Sequence, residues 1–211
     1  MMIECGISLK KIREAFDFKL SEISGCLVSH EHLDHAKSIR KLNDAGVDCY
    51  MTRGTFKASK NPGHHRIKII NYMSEFYAGS WRILPFQAQH DSAEPTGFLI
   101  MSPRQKKILY LTDSYYCKYM FVDVEYFMIE CNYSRKILDE NVKAGLVHEK
   151  VRNRVLKSHF EIENVKQFFR SNDLTKCKEI YLIHLSKNNS DAELFKKEIE
   201  DVSGSEVHVC I

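Results

Sequence analysis

The sequence predicts a mixed α/β (α+β) domain, and two patterns support this fold class. Short apolar runs rich in β-branched and aromatic residues have the length of buried strands. Amphipathic segments with apolar residues three or four positions apart have the period of helices. Strand-like runs first alternate with helical segments, then follow one another from about residue 66 to 112, after which helices dominate. This order favours a sheet that is covered by helices.

The predicted elements can be given in chain order. Strands are predicted over residues 26–29, 47–51, 66–70, 81–86, 98–101, 108–111, 126–129 and 180–183. Helices are predicted over residues 8–16, 35–45, 163–170 and 192–202. The 211 residues fit one ordinary domain, so residues 1–211 are interpreted as a single domain with a sizeable core.

Composition excludes several classes of protein. Hydrophobic residues make up 44% of the chain and charged residues 28%, which is typical of globular rather than disordered proteins. No apolar run approaches the roughly 18 residues of a membrane span, and the first residues lack the pattern of a secretory signal. The seven cysteines form no C-x-x-C pair, which indicates reduced thiols and a cytoplasmic protein.

Two local segments are basic although the net charge is only +3. Residues 52–68 contain five basic residues, Lys57 and Arg66 among them, and no acidic residue. Residues 135–157 contain seven basic and three acidic residues. Such surfaces suit an anionic substrate, but two solvated faces explain the same counts.

The densest motif of the chain is H-x-H-x-D-H, which spans His30, His32, Asp34 and His35. Two imidazoles two positions apart in an extended loop point the same way, so His30 and His32 can share one metal ion. Asp34 and His35 open the next helix and can reach a second ion. Imidazole with carboxylate suits zinc first, with manganese or iron as other occupants. The alternative is a polar helix N-terminus without metal.

Further candidate ligands stand directly after apolar strand-like runs. These are His90, Asp113 and His184. Active sites often gather on loops at one end of a sheet, so the sequence predicts that these residues converge with the His30 motif.

This pattern resembles the metallo-β-lactamase superfamily, and further segments resemble its YycJ (WalJ)-like branch. Those segments are ECGISLKKI at 4–12, HDSAEPTGF at 90–98, ECNY at 130–133 and HLSKNN at 184–189. The resemblance extends from about residue 3 to 200 and implies an αββα sandwich. One N-terminal hairpin of the relatives has no counterpart, which would leave a strand edge where a second copy could dock as a homodimer.

The resemblance implies a dinuclear metal site. His30, His32 and His90 would hold the first divalent ion, Asp34, His35 and His184 the second, and Asp113 would bridge both. A metal-bridging hydroxide would be the nucleophile, with Asp34 and His159 as catalytic residues. His159 would contact the phosphate or protonate the leaving group, although its flanking residues depart from the relatives' pattern. A surface histidine before a helix is the alternative.

The leading hypothesis is therefore a metal-dependent phosphodiesterase or nuclease that acts on nucleic acid or a nucleotide. Substrate contacts are assigned to His159, Lys57 and Arg66. The second hypothesis is a small-molecule hydrolase, such as a cyclic-nucleotide phosphodiesterase, because this fold supports several reactions. The third is a truncated, non-catalytic binding protein.

Overall fold

The protein is described by a computed structural model that covers residues 1–210. It forms two compact units. The first comprises residues 1–87 and 92–104, and the second comprises residues 88–91 and the chain from Gln105 onward. Within the described residues, no helix combines the length and apolar character needed to cross a membrane.

The first unit contains a parallel sheet of four short strands. In spatial order these are β1 (Met2–Ile3), β2 (Cys26–Leu27), β3 (Cys49–Thr52) and β4 (Ile67–Ile70). Because parallel strands need crossover connections, helices lie between them in the chain. These are α1 (Leu9–Ala15), α2 (Leu33–Ala36), α3 (Ile39–Asp44) and α4 (Arg53–Ala58). Ile12 of α1 and Leu42 of α3 pack with Cys26, Cys49 and Met51 in one buried cluster.

An antiparallel meander completes the first unit. Its strands are β5 (Phe76–Ala78), β6 (Trp81–Gln87) and β7 (Thr96–Met101). Ala78 pairs with Trp81, so only two residues turn the chain between β5 and β6. Gly79 has φ of 60°, which is the left-handed conformation that such tight turns require.

The second unit contains a parallel sheet with helices between its strands. The strands, in spatial order, are β8 (Lys107–Leu111), β9 (Tyr126–Glu130), β10 (Glu179–Ile183) and β11 (Glu206–Val209). The helices are α5 (Arg135–Lys143), α6 (Glu149–Ser158), α7 (Ile162–Ser171) and α8 (Ala192–Ser203). Asp191 caps α8 by accepting a hydrogen bond from Leu194 N, and Gly204 ends it with φ of 66°.

The register of this sheet brings three strand ends together. Leu111 of β8 pairs with Ile129 of β9, and Glu130 of β9 pairs with Ile183 of β10. Residues that follow these strands therefore lie at one edge of the sheet, the edge formed by the carboxyl ends of the strands.

The predicted elements agree with the structure except at one helix. Each of the eight predicted strands is present, and the helices predicted over 163–170 and 192–202 are confirmed. The single helix predicted over 35–45 is wrong, because α2 ends at Ala36 and α3 begins at Ile39. Ser38 interrupts it: its N–H donates to Cys5 O at 3.0 Å, and its hydroxyl donates to Ile7 O at 2.6 Å. The sequence patterns missed β1, α4, β5, α5, α6 and β11.

Candidate functional site

The first unit gathers the histidines of the H-x-H-x-D-H motif in the loop between β2 and α2. Ser29 Oγ lies 2.8 Å from Nδ1 of His30, which fixes the orientation of this buried ring. His30 Nε2 lies 3.0 Å from His32 Nδ1, and the two rings meet edge to face at 81°. The ring of His35 lies 4.3 Å from that of His30. His30, His32 and His35 therefore form one imidazole cluster.

The acidic residue of the motif sits at the edge of this cluster. Asp34 Oδ2 lies 3.5 Å from His35 Nε2, and the Asp34 side chain is 66% exposed while that of His35 is 5% exposed. Asp34 thus faces solvent next to a buried imidazole. This position suits contact with an ion or a substrate.

Glu4 holds this loop from the segment that follows β1. Both of its carboxylate oxygens accept a hydrogen bond from Ser29 N, at 3.2 and 3.4 Å. One of them also lies 3.6 Å from Nδ1 of His35. Glu4 has φ of 62°, a left-handed conformation that is uncommon for a residue other than glycine. Cys5 N then donates to His35 O at 2.7 Å, so the segment is tied to both ends of the motif.

Gly6 is required where this segment crosses the motif. A Cβ atom at position 6 would stand 1.5 Å from the carbonyl oxygen of Asp34 and 2.8 Å from the backbone nitrogen of His35. Both neighbours are backbone atoms, so the segment or the loop would have to move. Only glycine permits this approach.

Gly6→Ala is therefore expected to displace the loop that carries Asp34 and His35. Overpacking of this kind costs about 1–3 kcal/mol of unfolding free energy. Urea denaturation would measure that loss, and titration with zinc would measure weaker metal binding. Gly46→Ala is a control for lost glycine flexibility, because Gly46 has φ of 93° and a Cβ there would meet no atom within 4 Å. Zinc affinity in Gly6→Ala equal to that in Gly46→Ala would contradict the prediction.

The second unit gathers His90, Asp113, His159 and His184. Asp113 stands after β8 and His184 after β10, at the sheet edge described above. Asp113 Oδ2 lies 3.4 Å from His90 Nε2, and Asp113 Oδ1 lies 3.2 Å from His184 Nδ1. The two oxygens of one buried carboxylate thus face two different imidazoles, which is an arrangement that suits a bridging ligand.

The backbone at two of these residues adopts a sparsely populated conformation. Asp113 has φ of 44° and His184 has φ of 58°. Left-handed conformations at residues other than glycine carry strain that the surrounding structure must offset, and they concentrate at functional sites. The left-handed backbone at Asp113 and His184 turns their side chains towards each other directly after their strands.

Glu130 is the buried centre of this group. Its Oε1 accepts hydrogen bonds from Nδ1 of His159 at 2.7 Å and from Nδ1 of His184 at 3.1 Å. Its Oε2 accepts from Ser114 N at 2.9 Å and from Phe160 N at 3.2 Å. Although burial acts to raise the pKa of Glu130, the hydrogen bonds from the two histidines lower it to about 2. Glu130 is therefore an ionised carboxylate whose acceptor positions are occupied.

This arrangement fixes the histidine tautomers. An ionised carboxylate can only accept hydrogen bonds, so Nδ1 of His159 and Nδ1 of His184 must each carry a hydrogen atom. In both rings Nε2 is then the nitrogen that points away from Glu130. Burial acts to lower the pKa of His159, but the hydrogen bond with Glu130 raises it above the ordinary value. The rings of His159 and His184 stack at 5.6 Å. His159 is thus part of the group rather than a separate surface histidine.

His90 is oriented by the end of α6. Its Nδ1 lies 2.7 Å from the carbonyl oxygen of Ser158, which directs Nε2 towards Asp113. Asp91 Oδ1 lies 3.3 Å from the same Nε2, and Arg154 Nε pairs with the other oxygen of Asp91 at 2.7 Å. Burial lowers the pKa of His90 despite the nearby carboxylate of Asp113, which favours the neutral imidazole that binds metal.

The donor atoms in each unit fit divalent metal ions. Two nitrogen ligands on one zinc ion, each about 2.0–2.1 Å away, stand roughly 3.3 Å apart in tetrahedral geometry. His30 Nε2 and His32 Nδ1 are 3.0 Å apart, which is close to that spacing. In the second unit, side-chain atoms of Asp113, Glu130, His159 and His184 all lie within 4.8 Å of one another, and Glu130 holds the two histidines rather than serving as a ligand itself. A hydrogen bond from the other ring nitrogen to a carboxylate or carbonyl, as in His90 and His184, is typical of metal-ligating histidines.

Fewer basic side chains are available to bind an anionic substrate than the residue counts of the two basic segments indicate. In residues 135–157, the three arginines pair with acids: Arg135 with Glu161, Arg152 with Asp139 and Arg154 with Asp91. In residues 52–68, Lys57 is exposed on α4, whereas Arg66 Nη1 lies 3.0 Å from Asp48. The assignment of Lys57 and Arg66 as substrate contacts stays a prediction.

Glu4 was not identified as functional from the sequence, whereas the position of Glu130 leaves open whether it orients the site or only ends a strand. Glu4 lies in the segment that resembles the YycJ branch, but its contact with Ser29 and His35 depends on the pairing of β1 with β2. Glu130 follows an apolar strand run as the candidate ligands do. This position after a strand run is the sequence feature that indicates a role for Glu130 in the site.

The comparisons with known proteins first define the class. The metallo-β-lactamase fold protein YhfI from Bacillus subtilis matches with a TM-score of 0.73 over 99% of this chain and 83% of that chain, at 15% identity. The fold class predicted from the sequence, that of the metallo-β-lactamases, is therefore confirmed. The model of the β-lactamase superfamily domain matches residues 2–137, which is more than half of the chain. The chain belongs to this superfamily.

Curated relatives then support the branch. Exodeoxyribonuclease YycJ from Bacillus anthracis is 25% identical over 220 residues, covering 96% of this chain and 80% of the relative. Exodeoxyribonuclease WalJ from Streptococcus pneumoniae is 25% identical over 211 residues, covering 92% of this chain and 76% of the relative. The resemblance to the YycJ (WalJ)-like branch is confirmed. Fold, family and the histidine–carboxylate clusters together support a hydrolase that binds divalent metal.

Proposed function

We propose that this protein is a phosphodiesterase that acts on nucleic acid with two divalent metal ions, zinc being the first candidate. The observation that carries the proposal is the position of Asp113, whose two oxygens face His90 and His184. A carboxylate between two imidazoles suits two ions rather than one. Such a pair of ions suits phosphodiester hydrolysis, because the attacking and the leaving oxygen both carry negative charge that the two ions would stabilise.

The proposed ligand assignment follows the sequence motif. His30, His32 and His90 would hold one ion, Asp34, His35 and His184 would hold the other, and Asp113 would contribute to both. The tautomers in the second unit support this assignment, since Ser158 O fixes Nδ1 of His90 and Glu130 fixes Nδ1 of His184. Ser29 Oγ orients the ring of His30 in the first unit, but a hydroxyl can donate or accept and does not fix its tautomer. His90 and His184 thus each present Nε2 as the ligand atom.

The chain's own groups have distinct roles in the proposed reaction. Bound metal ions would lower the pKa of a water molecule and neutralise charge on the phosphate oxygens. His159 is held at Nδ1 by Glu130, so its Nε2 would contact a phosphate oxygen or give a proton to the leaving oxygen. Asp34, which is exposed beside His35, would bind a metal ion and position the attacking water as the second catalytic residue.

The choice of nucleic acid is supported by the names of the YycJ and WalJ relatives, both of which are exodeoxyribonucleases. The exposed Lys57 is a candidate for a phosphate contact beyond the reacting bond. A small phosphodiester, such as a cyclic nucleotide, is the second candidate substrate. It is favoured by the ion pairs of Arg135, Arg152 and Arg154, which reduce the positive charge available to a long polyanion.

Metal removal tests the proposed function. Treatment with a chelator is expected to reduce hydrolysis of bis-p-nitrophenyl phosphate and of single-stranded DNA to below about 1%, because no side chain here replaces the ion's effect on water. Reloading with Zn²⁺ or Mn²⁺ should restore both activities. Absence of turnover of any phosphodiester while two metal ions are bound, measured by elemental analysis, would contradict the proposal.

The salt dependence of binding separates the two candidate substrates. A nuclease should lose DNA affinity steeply as salt rises, because each neutralised phosphate releases counterions. A small-molecule phosphodiesterase should show a shallow dependence. Folded protein with fewer than two metal ions and no activity would instead favour a non-catalytic binding protein.

The cellular setting is also a proposal. All seven cysteines are free thiols, and Cys5, Cys26, Cys49 and Cys131 are buried. Unpaired buried thiols suit a reducing compartment, so we place the protein in the cytoplasm. We also propose that the whole chain acts as one catalytic domain. A homodimer remains a prediction.

A further inference from the structure

An aromatic loop follows the candidate ligand Asp113 in the second unit. It comprises residues 115–121, with the sequence YYCKYMF, and contains no helix or strand. Tyr115 and Tyr116 are 39% and 54% exposed. The hydrophobic effect disfavours a run of exposed aromatic rings unless they contact something else.

The aromatic loop and α7 enclose a cavity of about 280 Å³. Its apolar walls include Tyr116, Tyr119, Phe160 and Phe168, and the amide side chains of Asn164 and Gln167 line it as well. This volume is close to the lower end of the range for small-molecule sites, about 300–1,000 Å³. It has the size for one planar ring system rather than for a long ligand.

The charge of the cavity favours an anionic ligand. Lys118 lines it, and its Nζ lies 5.2 Å from the centre of the Tyr119 ring. None of the described residues that line the cavity is acidic. Flat aromatic walls, amide groups and one cation are the features that bind a nucleobase together with its phosphate.

The lining of the cavity contains a thiol, a group that could act as a nucleophile. Cys117 is its one thiol, and burial raises the pKa of that thiol to about 11. The thiolate is therefore scarce near neutral pH, which disfavours a nucleophilic role for Cys117.

Glu130 connects this cavity to the candidate ligands. One oxygen of Glu130 accepts from the backbone N–H of Ser114, the residue directly before the aromatic loop, and from that of Phe160, in the cavity wall. The other oxygen accepts from His159 and His184. The loop is further fixed by Tyr115 N, which donates to Gln89 O at 3.0 Å beside His90. A ligand bound in the cavity would therefore lie at a fixed distance from His159 and His184.

We propose that this cavity binds one nucleobase of the substrate strand by stacking against the rings of Tyr116 and Tyr119, with Lys118 close to a flanking phosphate. The proposal rests on the proposed function, because it supplies the base contact that a phosphodiesterase acting on nucleic acid requires. It also makes a base-bearing strand the preferred substrate over a phosphodiester without bases.

Substitution of Tyr116 tests this site by direct binding. The probes are a fluorescein-labelled thymidine 10-mer and an abasic 10-mer, both with phosphorothioate linkages that resist cleavage, added to metal-loaded protein. Fluorescence anisotropy should show that Tyr116→Ala weakens binding of the thymidine oligomer roughly 5- to 150-fold, the range of single base–aromatic contacts. Binding of the abasic oligomer should change less than about twofold.

Two control variants separate stacking from other effects. Tyr116→Phe keeps the ring and should bind the thymidine oligomer within about twofold of the unsubstituted protein. Tyr77→Ala removes an exposed ring from β5, outside the cavity, and should have no effect. A thermal melt should show little change for Tyr116→Ala, since exposed side chains contribute little to stability.

The outcomes distinguish this proposal from the proposed function. Equal binding of the thymidine oligomer by Tyr116→Ala and the unsubstituted protein would overturn the nucleobase site. Equal affinity of the unsubstituted protein for both oligomers would also overturn it, while phosphodiester hydrolysis could still stand. Loss of base-dependent binding in Tyr116→Ala, in a protein that hydrolyses no phosphodiester, would support the nucleobase site and overturn the proposed catalysis.

Discussion

Asp113→Asn is expected to reduce phosphodiester hydrolysis roughly a thousandfold, since a bridging charge supports several kcal/mol of transition-state stabilisation. The amide keeps the shape of the side chain but replaces one oxygen by NH₂, which cannot bind a metal ion. Because Oδ1 and Oδ2 of Asp113 face His184 and His90 respectively, either orientation of the amide removes one bridging contact. Elemental analysis should show that the variant retains one metal ion or fewer per chain.

Asp123→Asn is the matched control for this variant. Asp123 also has a left-handed backbone, with φ of 58°, and belongs to the same unit, but it is exposed and pairs with Lys176. Its replacement should leave metal content and hydrolysis within about twofold, as expected for a surface ion pair. Two bound metal ions and full activity in Asp113→Asn would show that Asp113 is not a bridging ligand.

The sequence predicted the parts of the site that are local in the chain. His30, His32, Asp34 and His35 lie within six residues, so their chemistry can be recognised without knowledge of the fold. The convergence of Asp113 and His184 was predicted from their positions after apolar runs, and the register of β8, β9 and β10 explains it.

Other features depend on contacts between distant segments and were not predictable. A glutamate at a strand end is ordinary, and only the register of β9 with its neighbours gives Glu130 its four donors. The break at Ser38 arises from hydrogen bonds to the segment after β1, which helical periodicity cannot reveal. Likewise, a count of basic residues cannot show that Arg135, Arg152 and Arg154 are paired with acids.

The aromatic loop illustrates the same limit. The tyrosines after Asp113 are visible in the sequence, but they do not alternate with the two basic segments where a nucleic-acid platform would be sought. The cavity exists only because α7 packs beside the loop, with Phe168 and Asn172 in its lining. Asn172 fixes this packing by accepting a hydrogen bond from Phe121 N at 2.7 Å.

Glu130→Gln is expected to lower the unfolding free energy by roughly 3–5 kcal/mol, the cost of breaking a buried charged pair. All four donors to Glu130 face its two oxygens, so a glutamine must direct its NH₂ at two of them in either orientation. No solvent can relieve that conflict, because the side chain of Glu130 is fully buried. In a thermal melt the midpoint should fall by roughly 6–20 °C. Metal affinity should fall about 10- to 100-fold, because His184 loses the group that orients it.

Glu161→Gln separates the loss of a buried carboxylate from the loss of histidine orientation. Glu161 is also largely buried, but its partner Arg135 is 51% exposed and can be solvated when the pair is broken. Its replacement should cost less than about 1 kcal/mol and leave metal affinity unchanged. If Glu130→Gln and Glu161→Gln melted at the same temperature and bound zinc equally, Glu130 would have no role in orienting the histidines. The tautomers of His159 and His184 would then have to be fixed by other groups.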